Sequence, residues 1–316
     1  MSRCLITGAA GFIGSHLAEA LLEAGHEVVG LDSFIPYYSR TIKERNQEIC
    51  RSYDSFTFHE TDLRYGDLRS IVSDCEAVFH LAAMPGLMKS WSEFQLYSSC
   101  NIEGTQRLLD AARDENTPHF IHISTSSVYG REATGAEDAP LEPFSPYGIT
   151  KLSAEQLCRA YNANFGVPIT ILRYFSVYGP RQRPDMAYNI LISAMLNNEP
   201  FTMFGDGEQT RSNTYYTDCV SATLQAFEKK EKALGETFNI GGGEVLSLNQ
   251  VLRILEDITG RKVNLDTRPA RPGDQKHTAA NIEKARRILG YNPATRVKEG
   301  LVEQVDWHIR MMNELS

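Results

Sequence analysis

Thr7-Gly8-Ala9-Ala10-Gly11-Phe12-Ile13-Gly14-Ser15-His16-Leu17 decides the fold. It joins the apolar run Leu5-Ile6 to a helical pattern over Ser15 to Ala24, and it spaces glycines at 8, 11 and 14. The first glycine permits a tight turn, the second lets backbone approach a pyrophosphate, and the third lets the helix pack closely on the strand. A helix beginning there presents free N–H groups and the positive end of its dipole to phosphate. Asp32 closes the second apolar run, about 20 residues on, where a carboxylate takes both ribose hydroxyls of a dinucleotide. That carboxylate repels a 2′-phosphate, and no arginine follows it closely, so NAD is expected rather than NADP. Asp62 follows the third strand pattern and is placed to meet the adenine.

Outward from this turn the first half is rhythmic. Val28-Val29-Gly30-Leu31, Phe56-Thr57-Phe58, Ala77-Val78-Phe79-His80, Phe120-Ile121-His122-Ile123 and Ile169-Thr170-Ile171-Leu172 each read as a buried strand. Helical patterns lie between most of them, including Asn101 to Glu115 and Tyr147 to Phe165. Strand and helix in alternation predict an α/β fold, a Rossmann-type doubly wound parallel sheet with helices on both faces. After about residue 180 the rhythm loosens around Gly179-Pro180, Gly205-Asp206-Gly207, Gly241-Gly242-Gly243 and Arg271-Pro272-Gly273. The division expected is 1–178 for the dinucleotide and 179–316 for a smaller mixed α/β C-terminal lobe over the substrate, with some crossing of the chain between them.

Composition narrows the partners. The chain has 316 residues, 42% of them apolar, enough for one large domain and a smaller one. No apolar run reaches the ~20 residues of a membrane span. The N-terminus runs straight into a strand pattern without a leader, so a cytoplasmic protein is expected. Six cysteines are scattered with no CxxC pair, which predicts free thiols and no metal site. His119 and His122 share a strand pattern and read as packing, not as ligands. A net charge of −8 with no basic run argues against nucleic acid.

Tyr147-Gly148-Ile149-Thr150-Lys151 opens a helix and puts tyrosine and lysine on one face. A free tyrosine, pKa near ~10, is a poor base at neutral pH. A nearby ammonium and a cationic nicotinamide favour its phenolate, a base suited to a sugar hydroxyl. Ser124-Thr125-Ser126-Ser127-Val128-Tyr129-Gly130 follows the fifth strand pattern, at the carboxyl end where an open parallel sheet binds ligands. Four consecutive hydroxyls are more than a turn requires.

Together with His80-Leu81-Ala82-Ala83, Arg173-Tyr174-Phe175, the GDGEQTR run at 205–211 and Arg271-Pro272-Gly273-Asp274, these motifs resemble the extended short-chain dehydrogenase/reductase family over almost the whole chain. Within it they resemble the nucleotide-sugar epimerases and dehydratases. The resemblance implies that Thr125 hydrogen-bonds the reacting hydroxyl, that Tyr147 is the base, and that Lys151 holds the nicotinamide ribose. It implies an NAD site of Gly8, Gly11, Phe12, Ile13, Gly14 and Asp32, continued by Asp62, Leu63, Leu81, Ala82, Ala83 and Tyr174. Arg211 and Arg271 are expected on the substrate's diphosphate and Asp274 near its uridine ribose.

The dehydratases carry Asp-Glu after the threonine, and the uronate decarboxylases carry Glu two residues after it. Here those positions are Ser126 and Ser127, which removes the acid of a lyase step and points to epimerisation. Gly179-Pro180-Arg181-Gln182-Arg183-Pro184-Asp185 and Leu289-Gly290-Tyr291-Asn292-Pro293 are similar to the UDP-glucuronate 4-epimerases. Ser176 replaces the asparagine of many UDP-glucose 4-epimerases, and Met88-Lys89 stands where uronate epimerases usually carry an arginine. The implied reaction interconverts UDP-glucuronate and UDP-galacturonate through a 4-keto sugar. Thr125, Ser126, Ser127 and Ser176 are expected to fence the carboxylate, and Arg183 to contact the substrate. The alternatives are UDP-glucose or UDP-N-acetylglucosamine 4-epimerisation and UDP-glucuronate decarboxylation. The family commonly dimerises through two helices, here about 99–115 and 147–165, so a homodimer is expected.

Overall fold

The computed structural model describes residues 1–270 and 275–314. Its large sheet contains β1 (Arg3–Thr7), β2 (Glu27–Asp32), β3 (Phe56–Glu60), β4 (Ala77–His80) and β5 (Phe120–Thr125). Strands Ile169–Tyr174 and Thr237–Ile240 complete it, in the order Thr237–Ile240, Ile169–Tyr174, β5, β4, β1, β2, β3, all parallel. Neighbouring residues of one strand serve opposite faces. In β1, Cys4 and Ile6 enter one buried cluster and Leu5 enters another. A strand buried on both faces reads as a continuous apolar run, which is why β1, β2, β4, β5 and Ile169–Tyr174 were visible in the sequence, whereas Thr237–Ile240, buried but alternating polar and apolar, was not. Helices α1 (Phe12–Glu23) and Tyr216–Glu228 pack on each other at one face, Gly104–Asp114 and Pro146–Phe165 at the other. This is a Rossmann-like fold.

The helix expected from Asn101 begins differently. Ser99–Glu103 is a π-helical turn that runs into the α-helix Gly104–Asp114. The wider turn turns Asn101 inward, where its amide bonds both backbone groups of Met84 and the Thr150 hydroxyl.

A mixed sheet lies elsewhere. Strand Thr210–Tyr215 pairs antiparallel with Glu244–Ser247 and parallel with His277–Thr278 and Val177–Tyr178. His277–Thr278 in turn pairs with Glu132–Ala133. The chain therefore crosses in both directions, Glu132–Ala133 to the small sheet and Thr237–Ile240 to the large one. Its own core includes Leu191, Ile192, Val251, Leu255 and Leu301.

A clasp ties the segment after Val177–Tyr178 to α1. Arg181 Nη1 donates to Glu19 Oε1 at 2.7 Å and to Ser15 Oγ at 3.3 Å. His16 stacks on Tyr216 at 3.9 Å, and its Nε2 lies 3.0 Å from the Pro180 carbonyl. Burial, aided by the Arg181 charge, pulls His16 down to about 3. The ring is then neutral at physiological pH and donates to that carbonyl. Among the described residues no helix is long and apolar enough to cross a membrane.

Candidate active site

The carboxyl ends of β1, β2, β4, β5 and strand Ile169–Tyr174 open into one cleft of ≈ 420 Å³. Every site residue expected from the sequence lines it, except Arg271 and Asp274, which lie outside the described residues.

At the β1 end, Gly8 has φ +74°, and a Cβ there would stand 2.9 Å from the Ala82 amide nitrogen. A Cβ on Gly14 would overlap the Gly8 carbonyl. The glycines therefore bring the turn against the Leu81-Ala82-Ala83 loop and α1 against the turn. No side chain caps α1 at Gly11, and no acidic residue stands in its first turn. Phe12, Ile13 and Gly14 line the cleft there, so the helix end is open to an anion. The Thr7 hydroxyl accepts the Ala82 N–H at 3.1 Å and donates to His80 Nδ1 at 2.8 Å. His80 Nε2 then donates to Thr105 Oγ1 at 2.9 Å, whose proton goes to the Asn101 carbonyl. Burial holds His80 near 3, neutral as this chain requires.

Asp32 Oδ1 accepts the Phe34 N–H at 2.9 Å and lies 3.6 Å from Lys43 Nζ. Asp62 is engaged by Arg64, whose backbone N–H, Nε and Nη2 donate to it at 2.9, 3.0 and 2.7 Å. These bonds hold the Asp62 carboxyl below its usual range. A glycine turn under an uncapped helix end, with a carboxylate at the end of β2, fits the pyrophosphate and adenosine ribose of a dinucleotide.

The hydroxyl-rich turn follows β5 as a single 3₁₀ turn, Ser126–Tyr129. Thr125 Oγ1 accepts the Ser127 N–H at 3.1 Å and so caps it. Gln275 Nε2 donates to the Ser126 and Gly130 carbonyls at 3.3 and 2.7 Å, pinning the turn at both ends. Ser176 and Tyr174 line the same wall. The Tyr174 hydroxyl lies 2.6 Å from Thr223 Oγ1, and burial raises it well above an ordinary tyrosine.

Ser145 and Pro146 start the helix that carries Tyr147 and Lys151. The Ser145 hydroxyl accepts the Gly148 N–H at 3.1 Å, and proline at the first position costs no hydrogen bond. Gly166, left-handed, ends the helix. Lys151 is buried, donates to the Ile123 carbonyl at 2.7 Å, and is pulled by burial down to about 8. Tyr147 is raised above its ordinary value by burial, offset by the Arg183 charge and a hydrogen bond with Thr125. Arg183 thus enters the electrostatic balance at Tyr147, a contribution that the YxxxK spacing alone did not suggest. Arg183 is fixed by a bidentate pair with Asp185, at 2.9 and 3.1 Å, and Asp185 also accepts the Tyr37 hydroxyl at 3.1 Å. Arg211 faces the cleft from strand Thr210–Tyr215 and donates to the Thr210 carbonyl at 2.8 Å. Lys89 lies over the Tyr37 ring at 4.4 Å, and Met88 is exposed.

Sequence reading missed Tyr37, Lys43, Arg64 and Gln275, all of which line the cleft. None carries a local motif. A cation after β2 was sought beside Asp32, but Lys43 returns to it from helix α2 (Arg40–Arg45).

The model of the NAD dependent epimerase/dehydratase family matches residues 4–241. A Bacillus subtilis (strain 168) protein, called the uncharacterized UDP-glucose epimerase YtcB, is 45% identical over 96% of both chains. The UDP-glucuronate 4-epimerase of Thermodesulfobacterium geofontis (strain OPF15) is 36% identical over 97% of this chain and 96% of its own. The solved UDP-glucuronic acid 4-epimerase of Bacillus cereus, in complex with UDP-glucuronic acid and NAD, superposes with TM-score 0.95 at 46% identity, over 98% of this chain and 99% of its own. With a cleft that fits a dinucleotide at one end and gathers tyrosine, threonine and lysine at the other, this chain belongs to the NAD dependent epimerase/dehydratase family.

Proposed function

We propose that the protein inverts the 4-hydroxyl of UDP-glucuronate to give UDP-galacturonate, reversibly, with NAD held in the cleft. The observation that carries this reading is the lining of the cleft. Neutral hydroxyls at Thr125, Ser126, Ser127 and Ser176 share it with Tyr147 and Arg183. The carboxylates among its described residues are Asp32 and Asp62, at the dinucleotide end.

Bound NAD supplies the two-electron acceptor for the sugar's C4 and then the donor that restores it. The chain's own residues do the rest. Tyr147 takes the 4-hydroxyl proton and later returns it, with Thr125 sharing the hydrogen bond. Arg183 and Thr125 offset the burial that raises Tyr147. Lys151, anchored on the Ile123 carbonyl, orients the nicotinamide ribose. Arg211 holds the diphosphate, with Arg271 and Asp274 as its expected partners on the nucleotide. Binding energy from that remote group keeps the 4-keto sugar in place while it turns over. The keto sugar is a β-keto acid and loses carbon dioxide when its carboxylate stands perpendicular to the carbonyl plane. Serine donors keep the carboxylate solvated and out of that alignment.

The test is incubation of the pure protein with UDP-glucuronate and no added reductant, followed by proton NMR. UDP-galacturonate without net reduction of NAD is the expected product. UDP-pentose with carbon dioxide would identify a decarboxylase. The 45% identical relative called a UDP-glucose epimerase favours one other reading, and turnover of UDP-glucose or its N-acetyl analogue alone would establish it.

On this reading residues 1–178 form the NAD-binding domain, which also carries Thr125, Tyr147 and Ser176, and 179–316 form the nucleotide-sugar lobe, with Glu132–Ala133 and Thr237–Ile240 crossing between them. A homodimer pairing the helices of 99–115 and 147–165 is part of this reading, and it is supported by the exposure of Ile149 on helix Pro146–Phe165. Six unpaired cysteines agree with a reducing cytoplasm. Light scattering of the eluted protein tests the dimer, with a monomer mass against it.

A further inference from the structure

Lys43 stands behind the carboxylate that reads the adenosine ribose. Both residues line the cleft, and both are nearly buried, Lys43 7% and Asp32 9% exposed. Nζ lies 3.6 Å from Asp32 Oδ1 and donates to the Ile35 carbonyl at 3.2 Å. The rings of Tyr38 and Phe34 flank it at 5.1 and 5.9 Å. Arg40 also faces this spot, over Phe34 at 4.3 Å, while Arg64 at the same end of the cleft is held by Asp62. Arg40 is half exposed and engaged by Glu44 and by both carboxylate oxygens of Glu60. Lys43 is thus the cation paired with the Asp32 carboxylate at this end of the cleft.

We infer that Lys43 is a latent 2′-phosphate site and that Asp32, by its charge, keeps it closed. The inference rests on the NAD reading above and deepens it. A phosphate on the ribose 2′-oxygen has to approach the Asp32 carboxylate in a site shielded from water, where repulsion between like charges is strong. Removing that carboxylate reverses the balance. It leaves a buried ammonium without its counter-charge, a state that an incoming phosphate relieves. The selectivity for a 2′-hydroxyl then depends on one carboxylate and not on the lack of a basic residue.

The experiment is equilibrium binding to protein freed of nucleotide, by titration calorimetry with NAD, NADP and adenosine 2′,5′-bisphosphate as probes. The natural chain binds NAD and binds the 2′-phosphorylated probes at least roughly tenfold more weakly, since each 1.4 kcal/mol is tenfold. Asp32→Ser keeps an acceptor for the Phe34 N–H while removing the charge. It is expected to weaken NAD, to tighten the bisphosphate by roughly tenfold or more, and to invert the preference. Adding Lys43→Met abolishes the gain, and adding Arg40→Gln leaves it. If Lys43→Met does not fold, Lys43→Gln carries the same expectation. No gain in Asp32→Ser, a gain that survives loss of Lys43, or one that vanishes with Arg40 would each overturn the proposal. A natural chain that binds neither dinucleotide would overturn the cofactor reading instead, while the bisphosphate series still scores Lys43.

Discussion

At the scale of single residues, the balance at Tyr147 sets the pH dependence. Burial raises its pKa, and Arg183 and Thr125 lower it. The base must be deprotonated to act, so kcat/KM rises with pH through the tyrosine's pKa. Arg183→Gln removes a cation that favours the phenolate and is expected to move that rising limb upward, by roughly one unit. A pH–rate profile with the limb unmoved would remove Arg183 from the balance. Tyr147→Phe is expected to cost roughly 10³-fold in kcat with the NAD affinity little changed. Ser127→Glu tests the hydroxyl fence. A carboxylate two residues after Thr125 crowds the uronate and supplies a proton, so UDP-pentose and carbon dioxide should appear beside the epimer. Unchanged products on NMR would show that Ser127 has no part in suppressing decarboxylation. The residues that carry these arguments differed in how legible they were. Tyr147 and Thr125 sit in local motifs. Arg183 was visible only as a resemblance, and Gln275 was not visible, because its role lies in two backbone carbonyls of the Ser126–Tyr129 turn.

At the scale of elements, short caps and turns aim the chemistry. Helix Pro146–Phe165 begins where the Ser145 hydroxyl accepts the Gly148 N–H, and this sets the rotation that presents Tyr147 and Lys151 together. Ser145→Ala is expected to cost about 1 kcal/mol, seen as a lower denaturation midpoint. An unchanged midpoint would mean the helix start is held by its packing. The large sheet was legible for a physical reason. Parallel strands covered on both faces must be apolar throughout, and helices between them must be amphipathic. The small sheet offers no such pattern. Glu132–Ala133, Val177–Tyr178 and His277–Thr278 are two residues each, too short to show a period. Thr237–Ile240 is a buried strand of the large sheet that lies within the stretch read as irregular. Its four residues alternate polar and apolar, so only the folded chain reveals its neighbour.

At the scale of the whole molecule, one buried ion pair joins the parts that must stay in register. Glu155 and Arg173 are both fully buried, with Glu155 Oε2 accepting Arg173 Nη2 at 2.8 Å and Oε1 accepting Nε at 3.0 Å. Glu155 belongs to the helix of Tyr147 and Lys151, and Arg173 to the strand beside β5. Ser124, at the base of the hydroxyl-rich turn, donates to the same Glu155 oxygen at 2.5 Å. Arg173 Nη1 donates to the Tyr129 hydroxyl at 2.7 Å and to the Glu137 carbonyl at 3.0 Å. The Tyr129 hydroxyl donates to Asn239 Oδ1, and Asn239 Nδ2 donates to the carbonyls of Gly135 and Asn281. The helix, the turn, the large sheet and the loops leading to the small sheet thus share one network. A buried pair of this kind adds little net stability but is costly to break, because either partner left alone is an uncompensated charge. Glu155→Gln is therefore expected to lose about 3 kcal/mol and to lower kcat through the displaced turn. Glu155→Met with Arg173→Met removes both charges and should be more stable than Glu155→Gln, while kcat stays low because Ser124 has lost its acceptor and Tyr129 its Arg173 donor. Denaturation and turnover measured on the same three proteins separate the two effects. If stability and kcat recover together in the double variant, the pair serves folding alone and does not hold the turn.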